Sequence, residues 1–226
     1  MECSYYIVNP RHTRMAQEIV EKTFRNDHPF EQLLDEGRAT REQMQAWLCN
    51  RYWFQKTMVA KDAIVLAKCP DKAFRQIWVK RIKEADMEGG GLDSWIKLGW
   101  ACDVDVTDES RVYPATKFAM TAFLEWCQRS DWVLIVASSL SQLRAVVNHK
   151  NKFDTWYTLY PWIKTDGLDY FIQRCAQVGV DSAHCLTFIQ HIELPPDKIA
   201  EATKMKREIM QCMLDAVYLK CVLGCC

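Results

Sequence analysis

The chain has 226 residues, of which 49% are hydrophobic and 26% are charged, and its 29 Lys and Arg balance 29 Asp and Glu. This balance excludes the broad basic surface of a protein that binds nucleic acid or an anionic membrane, although it leaves room for a local basic pocket. No apolar run reaches the length of a membrane span, and no leader segment is recognisable. Together with the balanced charge, this means that we expect neither nucleic acid nor a membrane as a partner.

The eleven cysteines are odd in number and include no CxxC pair and no Cys/His spacing of a zinc site. Most of them fall in apolar stretches, where a reduced thiol serves as a small hydrophobic side chain. Reduced cysteines are typical of the cytoplasm, which is the expected location of the protein.

Hydrophobic residues recur with a period near 3.6 along nearly the whole chain, and no segment keeps a period of two. This pattern predicts an all-α fold. Because the chain has no internal repeat, low-complexity tract or long linker, we expect one helical domain over residues 1–226.

Breaks at Pro, Gly and capping residues divide the chain into predicted helices. These helices cover residues 12–25, 30–36, 47–67 (preceded by a Thr40/Gln43 capping box), 72–87, 92–102, 114–129, 132–149, 166–178, 181–192 and 196–222. Residues 1–10 and the acidic segment 103–110 are expected to be irregular. The aromatic segment 152–163 is expected to be irregular or a short helix.

The helix over residues 47–67 carries an unusual polar edge. Its apolar residues mark one buried side, but Arg51, Gln55 and Asp62 share a face beside that side, and Lys61 adjoins it. One interpretation is that the Arg and Lys stems run along the core and place their charges in water. The other is that these groups line a pocket for an anionic ligand.

Further basic residues lie on helices whose other faces are apolar: Arg81, Lys206, and Arg174, which forms an i, i+4 pair with Tyr170. Each alone fits an ion-pair partner or an exposed side chain. Because buried charges need partners, a polycarboxylate ligand would explain them together. His149, expected near a helix C-terminus, is either a charged residue favoured by the helix dipole or a general acid or base.

No catalytic sequence motif of high specificity occurs, and candidate metal ligands are few. Glu84, Glu88 and the pair Asp181 and His184 come nearest to the ligand sets of di-metal helical bundles. They are too few for two metal shells. The simpler interpretation makes the glutamates exposed helix-end charges and Asp181 a helix cap, so no metal site is predicted.

The order of several motifs resembles that of the PqqC family, the pyrroloquinoline-quinone synthases, over about residues 24–220. The most specific motifs are NRYWFQ at 50–55 with AKDA at 60–63, and YPWIK at 160–164. The others, in the same order, are HPF at 28–30, GRATREQMQAWLC at 37–49, CPD at 69–71, WVKRI at 78–82, GGGLDSWIKLG at 89–99, SSLSQL at 138–143 and MLDA at 213–216.

The resemblance implies a compact haem-oxygenase-like, TenA-like helical bundle that forms a homodimer and holds a buried pocket. Members of the PqqC kind close a ring of a tricarboxylate quinone precursor and oxidise it with O2, releasing hydrogen peroxide, without a metal or organic cofactor. We therefore expect a small anionic substrate, O2 as co-substrate, and pyrroloquinoline quinone or its precursor as the bound ligand.

The resemblance also assigns residues to the site. The expected catalytic residues are His149, for proton transfer, with Arg174, Tyr170 and Lys206. The expected substrate-binding residues are Arg51, Gln55, Lys61, Arg81, Arg25, Lys152 and Ser141. Such cations would stabilise carboxylates and developing negative charge in a water-poor site.

Some positions depart from the family pattern. Ala85 stands where the family has a histidine, and Phe24-Arg25 where it has a Tyr-His pair. The other departures are Phe54, Phe123 and Lys152, where the family has two tyrosines and an arginine. They leave an alternative open, a divergent member that binds a different anionic metabolite or scaffolds a pathway. A metal-dependent member of the same superfamily is a third alternative.

Overall fold

The structure is a computed structural model that describes residues 10–24 and 28–225. Its α-helices are α1 Pro10–Thr23, α2 Pro29–Asp35, α3 Arg41–Lys68, α4 Lys72–Asp86, α5 Gly91–Ala101, α6 Pro114–Arg129, α7 Trp132–Ser138, α8 Gln142–Leu159, α9 Asp169–His191 and α10 Pro196–Cys221. Short 3-10 helices lie at Glu109–Arg111, Ser139–Ser141 and Thr165–Leu168. The described residues contain no β-strand, and the predicted all-α fold is confirmed.

Helix α3 runs through the middle of the bundle and packs against α4, α5, α6, α7 and α10. It begins at the predicted capping box, in which the Gln43 backbone N–H donates to the Thr40 hydroxyl and the Thr40 backbone N–H donates to the Gln43 side chain. The buried residues of α3 include Lys61 and Asp62 as well as apolar side chains. This helix therefore carries charge into the core.

Large aromatic side chains from three helices meet at the centre. Trp47 of α3 contacts Trp95 of α5 and Trp156 of α8, with ring centroids 5.5 and 5.8 Å apart. All three rings are buried. Aromatic pairs of this geometry stabilise packing beyond the area they bury, so they hold α3, α5 and α8 around one apolar centre.

The prediction of one helix over residues 132–149 is wrong. The chain forms α7, the 3-10 turn Ser139–Ser141 and then α8. Serine hydroxyls explain the break, because they compete for backbone carbonyl groups. Ser138 Oγ donates to the Ile135 carbonyl at 2.7 Å, and Ser141 Oγ donates to the Ser138 carbonyl at 3.2 Å.

Helix α8 also continues through much of the aromatic segment 152–163, where irregular chain or a short helix is predicted, and ends at Leu159. Trp156 in this segment is fully buried, and the Tyr160 hydroxyl just after α8 donates to the Leu34 carbonyl of α2 at 3.0 Å. These tertiary contacts fix a segment whose sequence pattern is ambiguous.

The two helices predicted over residues 166–178 and 181–192 form the single helix α9. Gly179 in its interior costs roughly 1 kcal/mol relative to alanine, and α9 keeps its course because it packs along α5, α7 and α8. Asp181 is therefore an interior residue of α9, and its predicted role as a helix cap is wrong.

The ends of the chain differ from expectation in small ways. Helix α1 starts at Pro10, which was expected to be irregular, and ends at Thr23. Arg25 and the predicted irregular residues 1–9 lie outside the described residues. None of the described helices combines the length and the apolar character that a membrane crossing requires.

Candidate active site

A cavity of about 160 Å³ lies among α3, α4, α5, α8, α9 and α10. The predicted site residues that line it are Arg51, Gln55, Lys61, Arg81, Ser141, His149, Lys152, Tyr170, Arg174 and Lys206. The remaining one, Arg25, lies outside the described residues, and its neighbour Phe24 lines the cavity. The structure thus brings these side chains from separate helices to one chamber, while their catalytic and binding roles stay predictions.

Acidic residues within the protein neutralise two of the basic residues. Asp62 Oδ1 lies 2.6 Å from Lys61 Nζ, and Asp62 Oδ2 lies 2.9 Å from Arg81 Nε. Asp181 Oδ2 lies 3.2 Å from Arg81 Nη1. We call Lys61, Asp62, Arg81 and Asp181 the ion-pair network. Although burial raises the pKa of the Asp62 carboxyl, the charges of Arg81 and Lys61 outweigh burial and keep it below its ordinary value.

Two neutral side chains complete the ion-pair network. Lys61 Nζ donates to Ser139 Oγ at 2.6 Å, and Arg81 Nη1 donates to Gln142 Oε1 at 2.7 Å. Lys61 is 1% exposed, so these partners replace water around its ammonium group. The charges of Lys61 and Arg81 are therefore compensated before any ligand binds.

Three other predicted site residues, Arg51, Arg174 and Lys206, are basic and form no salt bridge with a carboxylate in the described part of the chain. We call these three the basic cluster. Arg51 Cζ and Lys206 Nζ lie 4.2 and 4.3 Å from the centroid of the Phe54 ring. Burial lowers the pKa of both Arg51 and Lys206. Because buried basic groups without acids are unfavourable, the basic cluster fits a polyanionic ligand.

His149 borders the same cavity as a neutral imidazole. Burial, followed by the charges of Arg174, Arg51 and Lys152, lowers the pKa of His149 to about 3. Its Nδ1 is buried without a hydrogen-bond partner among residues 10–24 and 28–225. Because α8 continues to Leu159, His149 lies inside that helix, and the interpretation of a charge at a helix C-terminus is wrong.

The lowered pKa of His149 predicts how stability depends on pH. Since the unfolded imidazole has a pKa of about 6.5, the unfolded chain binds more protons than the folded protein between about pH 6.5 and 3. Stability from the neutral imidazole is complete above that range and is lost as pH falls. When the pH is lowered from 7.5 to 5, the free energy of unfolding of the wild type is expected to fall by about 2 kcal/mol more than that of His149→Asn. Urea unfolding at the two pH values measures both. Equal losses would contradict this.

Tyr170 of α9 forms the wall of the cavity next to His149, with ring centroids 5.9 Å apart and the rings edge-on. Its hydroxyl accepts a hydrogen bond from Gln55 Nε2 at 2.9 Å. Burial raises the pKa of the phenol, and Arg174 opposes that rise. Tyr170 is therefore a protonated phenol whose hydrogen remains available to a ligand.

Four of the positions that depart from the family pattern lie at this site. Ala85, Phe24 and Phe54 line the cavity. Lys152 also lines it, and its Nζ lies 3.0 Å from Asp35 Oδ1, so its charge is compensated. Alanine and phenylalanine carry no proton to transfer, and the departures therefore bear on the chemistry of the cavity and not on a remote surface.

Sequence reasoning missed the acidic half of the ion-pair network. Asp62 shares a helix face with Arg51, which is a signal that the pattern did offer. Asp181 gave no local signal, because its partner Arg81 lies on another helix. Glu84 and Glu88 are exposed, and within the described ranges no group of three His, Cys, Asp or Glu is placed to hold a metal ion.

The fold belongs to the haem-oxygenase-like class. A domain of unknown function from Shewanella denitrificans, described as having a haem oxygenase-like fold, superposes with a TM-score of 0.72 at 15% identity, covering 95% of this chain and 91% of that chain. At this identity the likeness shows the fold alone. The predicted haem-oxygenase-like bundle is confirmed.

The chain belongs to the TENA/THI-4/PQQC family, whose profile matches residues 10–216. It is 36% identical over 199 residues to a pyrroloquinoline-quinone synthase of Pseudomonas putida (strain W619), covering 84% of this chain and 79% of the relative. It is 37% identical over 197 residues to one of Pseudomonas aeruginosa (strain LESB58), covering 84% and 77%. The resemblance to PqqC is confirmed, and the chain is a PqqC-type enzyme.

Proposed function

We propose that this enzyme binds a small anionic, aromatic or quinoid polycarboxylate and oxidises it with O2, as in the final step of pyrroloquinoline quinone biosynthesis. The observation that carries the proposal is the basic cluster, because its three side chains face one cavity and no described carboxylate pairs with them. A polycarboxylate supplies the missing negative charge through charge-assisted hydrogen bonds. The names of the relatives support the same class of substrate.

The proposed chemistry gives each group a role. Arg51 and Arg174 hold substrate carboxylates, which offset the positive charges that lower the pKa of His149. The neutral His149 then accepts a proton from the substrate. The substrate loses two electrons and two protons, and O2 takes up both and leaves as hydrogen peroxide. Positive charge beside the reacting atoms stabilises the negative charge on partly reduced oxygen. In this scheme O2 is the oxidant, and neither a metal nor an organic cofactor is required.

Mixing the purified protein with the tricarboxylate quinone precursor tests the proposal. We expect a change in the visible spectrum, uptake of O2 and release of an equal amount of hydrogen peroxide. His149→Asn is expected to lower the rate by about 100-fold or more while the precursor still binds, because a positioned base contributes roughly that much. A protein that gives neither a spectral change nor peroxide is not this oxidase.

A second candidate function is binding of a different anionic metabolite, or scaffolding of a pathway, without oxidation. Ala85 favours it, because a residue with no proton to transfer lines the cavity where the family has a histidine. If the protein has this function, polycarboxylates raise its melting temperature, but no O2 is consumed when the protein is mixed with the quinone precursor. The two readouts therefore separate the candidates.

We further propose that the protein acts in the cytoplasm as a homodimer. The described cysteines are free thiols, which suits a reducing compartment. The homodimer is proposed from the family resemblance, and light scattering of the purified protein measures it directly.

A further inference from the structure

Lys206 of α10 differs from the other lysines of the cavity in its surroundings. It is 4% exposed, and its Nζ lies 4.3 and 4.6 Å from the ring centroids of Phe54 and Phe123. The Nζ atom also contacts the thioether sulfur of Met58, which is only a weak hydrogen-bond acceptor. The amine thus reaches the cavity in an apolar setting.

The other two lysines of the cavity are paired with acids, Lys61 with Asp62 and Lys152 with Asp35. Over residues 10–24 and 28–225, Lys206 forms no salt bridge with a carboxylate. A carboxylate partner stabilises the protonated form of a lysine, and that form has no lone pair with which to attack a carbonyl carbon. Lys206 lacks that restraint, and it is the cavity lysine best suited to act as a nucleophile.

The net effect of burial and of the charges around Lys206 also favours the neutral amine. Burial, followed by the charges of Lys61 and Arg51, lowers the pKa of the Lys206 amine well below its ordinary value, against opposing effects of Cys127 and Asp62. Desolvation next to another cation is a known way to activate a lysine amine. The free base therefore forms more readily here than at an exposed lysine.

We propose that Lys206 captures a small anionic carbonyl compound, an aromatic aldehyde or a quinone, as an imine within the cavity. The nitrogen lone pair forms a C–N bond to the carbonyl carbon. The two amine protons pass to the carbonyl oxygen, which leaves as water when the C=N bond forms. Atoms and electrons balance, and no oxidant or reductant takes part.

The anionic part of such a ligand has a place beside the amine. Arg51 Cζ lies 4.2 Å from the centroid of the same Phe54 ring that Lys206 Nζ contacts, and both groups line the cavity. Arg174 lines the cavity as well, without a described acid partner. A ligand that joins an aromatic carbonyl to an acidic group meets both requirements.

Reductive trapping tests the proposal, with pyridoxal 5′-phosphate as the probe because it joins an aromatic aldehyde to a phosphate. The probe is added in stoichiometric amount at neutral pH, followed by cyanoborohydride, and labelled peptides are mapped by mass spectrometry. We expect one phosphopyridoxyl group per chain, on Lys206, and protection by benzene-1,3,5-tricarboxylate. Label on Lys61, on Lys152, on exposed lysines or on none would overturn the proposal.

Two variants sharpen the result. Lys206→Arg keeps a positive charge but cannot form the imine, and it is expected to lose the label. Lys204→Arg, an exposed position on the same helix, is expected to keep it. Peptide mapping in the wild-type protein gives an answer even where Lys206→Arg fails to fold. The inference rests on the cavity and not on reaction with O2, so a labelled protein that consumes no O2 would refute only the proposed oxidation.

Discussion

Asp62→Asn is expected to destabilise the protein by about 3–5 kcal/mol, because it leaves buried cations without their anion. Asp62 is 3% exposed and bridges Lys61 and Arg81 at 2.6 and 2.9 Å. Removal of one member of such a network leaves the remaining buried charges both desolvated and unpaired. Urea unfolding measures the free energy, and the melting temperature is expected to fall by about 10 °C.

Two controls isolate the cause of this destabilisation. Glu125→Gln also removes one negative charge, but from the exposed pair with Arg129, and is expected to change stability by less than about 0.5 kcal/mol. Adding Lys61→Met to Asp62→Asn restores the charge balance, so the double variant is expected to lose less than the sum of the single variants. Additive losses would show that charge pairing is not the source of the stability.

Arg174→Met is expected to weaken binding of benzene-1,3,5-tricarboxylate by roughly 30-fold or more, corresponding to about 2 kcal/mol or more for the loss of a charged group that pairs with the ligand. The same change is expected to leave the stability of the ligand-free protein unchanged or slightly higher, because it removes a half-buried cation that has no acid partner in the described structure. Calorimetric titration and urea unfolding measure the two effects separately.

The specific feature of this expectation is that ligand binding weakens while the stability of the ligand-free protein does not fall. Lys80→Met, at an exposed position on α4, is the control for loss of one positive charge and is expected to change neither quantity. Arg174→Lys is expected to recover part of the affinity, because it keeps the charge but loses the two-pronged geometry of a guanidinium group. Unchanged affinity in Arg174→Met would remove the basic cluster from substrate binding.

The predictions that were confirmed concern local structure and family. The Thr40 and Gln43 capping box, the breaks at Pro and Gly and the face shared by Arg51, Gln55 and Asp62 follow from helical geometry, which depends on near neighbours in sequence. The two main errors have different causes, one a local side-chain hydrogen bond and the other tertiary packing. The Ser138 hydroxyl donates to the Ile135 carbonyl and breaks the predicted helix over 132–149. Packing against α5, α7 and α8 keeps α9 helical through Gly179.

The sequence by itself determined the helical class, the family and which polar side chains could share a helix face, because these depend on periodicity and on the order of motifs. Only the tertiary structure decided which basic residues are already neutralised. Lys61 and Arg81 are compensated by Asp62 and Asp181, whereas the basic cluster has no described acid partner. Electrostatic energy depends on distance between charges, and helix packing brings Arg81 within 3.2 Å of an acid on another helix.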